Sequence, residues 1–322
     1  MSESRKNRVP FICPSTKKFY QESRTSPMHS FGDFIHGYIY GRWTYTYISV
    51  AKGHHPLTKI LGPLFSFFSF LLPKPKADAD NSSDGEKTKT TFADGYHGKV
   101  MLLEKASSLI TVNKPINLPD LEQVIPYKRA RAIILENPDH IALLKCPCRT
   151  AQRNPCQPED VCLVIGEPFA GFVVEHHPDR ARWITQQEAV AIMKEEEARG
   201  HVHHAFFKDA MLDRFYAICN CCSCCCGAIN AHRNGTPMLA SSGYVSEVDQ
   251  SLCIGCGMCS QFCQFEAIRV ADEVAEVDFD KCMGCGVCAA KCEQDAIQLR
   301  LESSKGKPLD ICSLLGRQAN NN

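Results

Sequence analysis

A cysteine pattern repeated near the C-terminal end constrains this chain more than any other feature. Cys253-Ile-Gly-Cys256-Gly-Met-Cys259-Ser-Gln-Phe-Cys263 recurs as Cys282-Met-Gly-Cys285-Gly-Val-Cys288-Ala-Ala-Lys-Cys292. The flanks recur too, Glu266-Ala-Ile268 matching Asp295-Ala-Ile297. Each copy spaces its thiols C-x2-C-x2-C-x3-C. Thiolates are soft, electron-rich ligands suited to iron–sulfur clusters. Three closely spaced cysteines wrap one cube from a tight loop. Gly255, Gly257, Gly284 and Gly286 let that loop bend and bring its amides toward the inorganic sulfurs. The fourth cysteine is expected to open a helix directed away from its own loop, and so to serve the other cluster. One cluster then takes Cys253, Cys256, Cys259 and Cys292, and the second takes Cys263, Cys282, Cys285 and Cys288. Zinc sites usually pair two CxxC units across a long gap, a layout this repeat does not have.

The chain carries 20 cysteines in 322 residues. Disulfide-dense proteins are mainly short secreted scaffolds. The N-terminal sequence has neither the apolar core nor the small-residue cleavage site of a secretory signal. A reducing, cytoplasmic setting is therefore expected, where clustered thiols mean metal. Lys+Arg and Asp+Glu are equal at 36 each, so nothing favours nucleic acid as a partner.

The expected fold class is α+β: a Cys-rich α+β middle domain at 92–243, then a pseudo-twofold two-cluster domain at 244–302. Residues 1–76 combine a polar, flexible tail (1–30) with an aromatic and apolar segment, 77–91 reads as a linker, and 303–322 as a C-terminal tail. The aromatic, β-branched stretch 31–51 is expected to pack. The run Ile60–Leu72 has 13 residues, roughly 20 Å as a helix against about 30 Å of hydrocarbon, too short to span a membrane. It reads as a buried helix, with a peripheral membrane contact as the alternative. In the middle region, Tyr127–Asn137 reads as a helix closed by Asn137-Pro138. Ile141–Leu144, Val161–Ile165, Val202–Phe207 and Phe215–Cys219 read as strands. Thr185 and Glu188 form a capping box for a helix over 186–199, ended by Gly200.

Ten more cysteines lie in two groups: Cys146, Cys148, Cys156 and Cys162, then Cys219, Cys221, Cys222, Cys224, Cys225 and Cys226. In an extended segment residues i and i+2 share a face, so Cys146 with Cys148, and Cys219 with Cys221, can grip one centre. Adjacent cysteines point apart, so the six-cysteine run does not serve a single cube. These ten thiols are read as holding one or two further iron–sulfur clusters. Zinc is the first alternative, and a dithiol centre at Cys221-Cys222 the second. Arg149 either lies near an anionic cluster and raises its potential or forms a salt bridge. Cys13 and Cys312 are isolated and not read as ligands.

Over about 55 residues the C-terminal part resembles bacterial two-cluster ferredoxins, except that the family's Pro after each fourth cysteine is replaced by Gln264 and Glu293. From about residue 92 to 302 the chain resembles a group of ferredoxin-type proteins from anaerobes. They combine a CPCR segment (here Cys146–Arg149), a CNCC-x-CCC segment (here Cys219–Cys226) and a C-terminal two-cluster ferredoxin. The stretch Gly37–Val50 is similar as well. The resemblance implies metal in the middle region and supplies no substrate.

His201, His203, His204, His176 and His177 stand out as metal ligands or proton shuttles, with packed core histidines as the plainer reading. No GxGxxG, GxxxxGK[ST] or GxSxG segment occurs. Catalytic residues are not identifiable. The chain reads as an electron carrier or electron-transfer subunit serving a redox partner protein. The alternatives are a redox enzyme with a substrate-binding centre among the middle cysteines, and a structural zinc module presenting the C-terminal domain.

Overall fold

Strands in the middle of the chain alternate two sets of apolar side chains, and that alternation sets the architecture. The computed structural model describes residues 9–26, 29–55 and 92–320. The Ile60–Leu72 run and the linker 77–91 lie outside the described residues.

Three helices come first: α1 (Pro14–Thr25), α2 (Phe31–Arg42) and α3 (Thr44–Ala51). After the gap come α4 (Phe92–Gly95), β1 (Tyr96–Met101), α5 (Leu103–Ile110), β2 (Ile116–Leu118) and β3 (Ile133–Leu135). Then follow β4 (Ile141–Lys145), α6 (Pro147–Thr150), β5 (Asp160–Ile165), α7 (Phe169–His176), β6 (Ala181–Ile184) and α8 (Gln186–Ala198). Next are β7 (Val202–Lys208), β8 (Arg214–Cys221), α9 (Gly227–Arg233) and β9 (Leu239–Ala240). The C-terminal part holds β10 (Tyr244–Val248), α10 (Met258–Phe262), β11 (Ile268–Ala271), β12 (Val274–Val277), α11 (Val287–Ala290), β13 (Ile297–Leu301) and α12 (Ile311–Asn320). The fold class is α+β.

Seven strands form one sheet in the order β6-β4-β5-β8-β7-β1-β9. Every neighbouring pair is antiparallel except β1 with β9. On one face Ala142, Leu144, Cys162, Val164, Val202, Phe206, Ala217 and Cys221 meet the apolar sides of α1, α2, α7 and α9. On the other, Ile141, Leu143, Leu163, Ile165, Ala205, Phe207, Phe215 and Ile218 meet α5, α8 and the start of α12. The sheet is thus sandwiched between two helical layers, and the cysteines of β5 and β8 fall on the first face. Among the described residues no helix is long and apolar enough to cross a membrane.

Three local expectations fail. Tyr127–Asn137 is not helical: Ala130 adopts φ 52°, which breaks any helix, and the β-branched pair Ile133-Ile134 enters β3 beside β2. The capping box at Thr185 is half formed. Thr185 Oγ1 accepts the Glu188 N–H at 3.1 Å, but the Glu188 carboxylate is held by Arg182 instead. Among the described residues, those near both ends of the chain pack on the rest rather than forming tails. At the C-terminal end, Leu309 and Ile311 are buried and Lys105 reaches Asp310 at 2.9 Å.

At the N-terminal end, Pro14 sits in the first turn of α1, and the Cys13 N–H donates to Thr16 Oγ1 at 3.2 Å. The helix then inserts Phe19, 1 % exposed, among Phe34, Phe169 and Phe172, with ring centroids 5.3, 5.6 and 5.9 Å away. Gly37 makes room for that ring, since a Cβ there would meet Phe19 Cζ at 2.7 Å. Phe19→Ala is expected to cost about 3–5 kcal/mol in denaturant unfolding, and under 1 kcal/mol would place α1 outside the cooperative fold.

Burial holds His97 and His203 down to about 4, His176 to about 4 and His204 to about 3. The unfolded chain binds protons on these rings below about 6.5 while the folded chain does not, so stability falls as pH drops from about 6.5 toward 4. Each ring contributes up to about 1.4 kcal/mol per pH unit. His97→Phe keeps the stack on Tyr127 and is expected to flatten the slope of urea stability against pH by about that amount.

Candidate metal centres

The two C-terminal loops repeat each other in backbone as well as sequence. Gly255 and Gly284 have φ 65° and 61°, and Gly257 and Gly286 have φ 78° and 85°. A Cβ at Gly255 would strike the Glu273 carbonyl, and one at Gly284 the Tyr244 carbonyl, so only glycine fits. Gly257 and Gly286 start α10 and α11 directly after themselves. The helices are therefore complete before the fourth cysteine. Cys263 closes α10 and Cys292 follows α11, which corrects the expectation that the fourth cysteine opens a helix.

The structure gathers Cys253, Cys256, Cys259 and Cys292 around one small cavity of about 20 Å³. Cys263 lies within electrostatic reach of Cys285 and Cys288, together with Cys282. Protein donors aim at these sulfurs. Ala275 N–H reaches Cys253 Sγ at 3.4 Å, and Ala267 N–H reaches Cys263 Sγ at 3.2 Å. Ser246 offers its N–H to Cys282 Sγ at 3.5 Å and its hydroxyl to Cys288 Sγ at 3.0 Å. Such bonds stabilise thiolate charge on a bound cluster. Burial pushes the bare thiols the other way, Cys288 up to about 11. A cationic core that takes these thiols as thiolates offsets that burial, as the donor set of a four-iron cluster requires.

The middle cysteines divide into two groups. In the first, the β5–β8 register sets Cys162 opposite Cys219, and Cys221 follows two residues along the same face. Cys146 follows β4, Cys148 lies on α6, and Cys226 precedes α9. These six thiols line a cavity of about 90 Å³, closed in part by Tyr40, Tyr96 and Tyr216. The Cys221 thiol donates to Cys226, which raises Cys221 and brings Cys226 down to about 7. Lys52 clamps the two cysteine segments together, donating to the Cys148 carbonyl at 3.1 Å and the Cys225 carbonyl at 2.7 Å.

The second group is Cys156, Cys222, Cys224 and Cys225, whose sulfurs all lie within 4.8 Å of one another. Cys224 is exposed and Cys156 half-buried. Cys13 is buried and Cys312 exposed, and neither belongs to a group of thiols.

Residues 246–299 match the family of 4Fe-4S dicluster domains. The chain is an iron–sulfur protein. No curated protein matches it.

Around the cysteines of this iron–sulfur protein, the histidines singled out above meet both polar and aromatic neighbours. His201 and Arg149 converge on Glu196 Oε2, each at 2.6 Å. Burial opposes ionisation of Glu196, yet His201 and Arg149 hold its carboxyl below the usual range. His203 Nδ1 meets Asn220 Oδ1 at 2.7 Å. His204 is fully buried opposite Cys219, near Phe206 and Phe265. His176 packs on Phe172, and His177 on Tyr45. Arg149 is buried, salt-bridged to Glu196, and also lines the cavity.

Sequence reasoning missed Lys52, Glu196 and Ser246. Glu196 was legible as an acid five residues before His201 at the end of a helix. Nothing in the sequence marks Lys52.

Gln264, which replaces the Pro seen in two-cluster ferredoxins, joins the two cysteine-rich regions. Its Oε1 accepts the Ser223 N–H at 2.7 Å, and its Nε2 donates to the Gly200 carbonyl at 2.9 Å. Phe262 packs against Gly200, where φ 84° and the absent Cβ are both needed, and Lys291 donates to the Ala198 carbonyl. Gln264→Ala removes both bonds and is expected to cost about 1–3 kcal/mol locally, read as faster amide exchange at Ser223. Unchanged exchange there would show that Gln264 does not hold the junction.

Proposed function

We propose that the protein is an electron-transfer protein or subunit with three cluster-binding cages in sequence. The observation that carries this reading is the continuity of the largest apolar core. It contains Cys146, Cys162, Cys221 and Cys226 of the cavity together with Cys282, and Cys263 and Cys285 pack against it. The cavity and the inner C-terminal cage thus border one continuous apolar core. The outer cage, Cys253, Cys256, Cys259 and Cys292, reaches solvent through Cys256. Leu252, Ile254 and Met258, exposed by 47, 64 and 36 %, surround that opening and offer an apolar landing for a redox partner protein.

A four-iron cluster, when bound, takes up and gives back one electron at a potential set by its hydrogen bonds and exposure. The chain's own residues supply the rest. The six cavity thiols exceed the four that one cube needs, and Arg149 places a fixed positive charge on the cavity wall. Ser246 and the amides of Ala267 and Ala275 bias the C-terminal thiols toward their ionised form. The aromatic side chains of α2 and α7, Tyr40, Phe169 and Phe172, line the cavity and keep water from it.

Anaerobically purified protein is expected to hold about twelve iron and as many sulfide in clusters, with a paramagnetic spectrum after reduction. About eight would confine clusters to the C-terminal part and defeat the cavity assignment. Cys226→Ser is expected to remove about four iron and spare the C-terminal signals. Cys263→Ser should disturb the centre of Cys282, Cys285 and Cys288 alone, and disturbance of the Cys253 centre instead would overturn the crossed ligand sets.

A further inference from the structure

We infer that Cys156, Cys222, Cys224 and Cys225 form a separate site for one thiophilic metal ion, distinct from every cluster cage. Among the described residues this is the one group of three or more such side chains whose ligand atoms all lie within 4.8 Å of one another. Four sulfurs at about 2.3 Å from a single tetrahedral ion are about 3.8 Å apart. A cube spreads its thiolates more widely, since each sits on a different corner iron. Among the described residues no three sulfurs of the C-terminal cages or of the cavity meet that limit, whereas all four of the Cys156 group do. Four thiols with no histidine or carboxylate suit zinc or a lone ferrous ion, both of which accept tetrahedral sulfur.

The backbone is organised for such a site. Cys222 to Cys226 form a turn, with the Cys226 N–H on the Cys222 carbonyl at 2.9 Å. That turn presents Cys222, Cys224 and Cys225 to the loop between α6 and β5, which carries Cys156. Gln152 of the same loop donates to the Cys224 carbonyl at 3.3 Å, bringing the two segments together without the metal. Cys222 and Cys225 also border the six-thiol cavity. One ion here pins the loop over the solvent side of that cavity. The site draws on none of the six cavity thiols, so it stands or falls independently of the cluster proposed for them.

The full chain, made with both zinc and iron supplied and purified without oxygen, provides the test. One zinc per chain, or one iron in excess of sulfide, is expected, because a cube holds equal iron and sulfide while a lone ion brings none. Zinc and iron contents tell the two ions apart. Cys224→Ser is expected to lose that single ion and leave the sulfide content and the reduced paramagnetic spectrum unchanged. Loss of about four iron with four sulfide would instead make these thiols part of a cluster, and absence of both zinc and excess iron would remove the site.

Alkylation of the unaltered protein keeps the inference open to refutation if that variant does not fold. Cys224, although exposed, should resist alkylation until a chelator is added, while exposed Cys312 reacts at once. Equal reactivity of the two would overturn the site. So would release of Cys224 by a reductant alone, which would identify a disulfide to Cys156, 2.8 Å away.

Discussion

A single buried guanidinium ties together the segments that carry the middle cysteines. Arg149 lies on α6 between Cys148 and the Cys156 loop. It donates to the Pro158 carbonyl, to Glu196 at the end of α8 and to the Asn220 carbonyl of β8. Removing one partner of a buried ion pair strands the other charge, so the pair is a brace that tolerates no half measure. Asn220, gripped from one side by Arg149, grips Val161 and His203 from the other. β5, β7 and β8 are thereby fixed in register by polar bonds lying among the thiols. The cavity has its shape because this network leaves the strands no alternative alignment.

Much of the arrangement was legible in the residues. The C-terminal repeat fixed its own loops, since spacing and glycines specify a local shape. The four strands read from apolar runs formed close to their expected limits, because a strand covered on both faces reads as a short continuous apolar run. The separation of Cys221 from Cys222 follows from the same two-residue period. Other features depended on distance in the chain. Tyr127–Asn137 looked helical by length and flanks, but its isoleucines found a strand partner in Ile116–Leu118. α1 looked like a polar tail because its burial rests on a single aromatic, Phe19, whose partners lie on α2 and α7. Lys52 and Gln264 act through backbone carbonyls and amides far away in sequence, which leave no pattern to read.

The replacement of proline by glutamine after Cys263 has a structural meaning that the ligand set alone does not reveal. Proline offers no donor, whereas the glutamine amide can both give and take a hydrogen bond. At position 264 those two capacities join the dicluster segment to Ser223 and Gly200. The counterpart, Glu293, is exposed, so the two halves of the repeat have diverged where only one of them faces the rest of the chain. Symmetry in the thiols thus coexists with asymmetry in attachment.

The division of the run Cys219–Cys226 between a cavity and a foursome that reaches solvent through Cys224 leaves no slack. Cys221 and Cys222 are joined by one peptide, so their Cα atoms stay about 3.8 Å apart whatever either sulfur holds. Cys221 and Cys222 are both buried, so the boundary between the two groups of thiols lies inside the protein and is one peptide wide. The run therefore works as a rigid spacer, and the two groups of thiols keep a fixed separation along one short stretch of backbone.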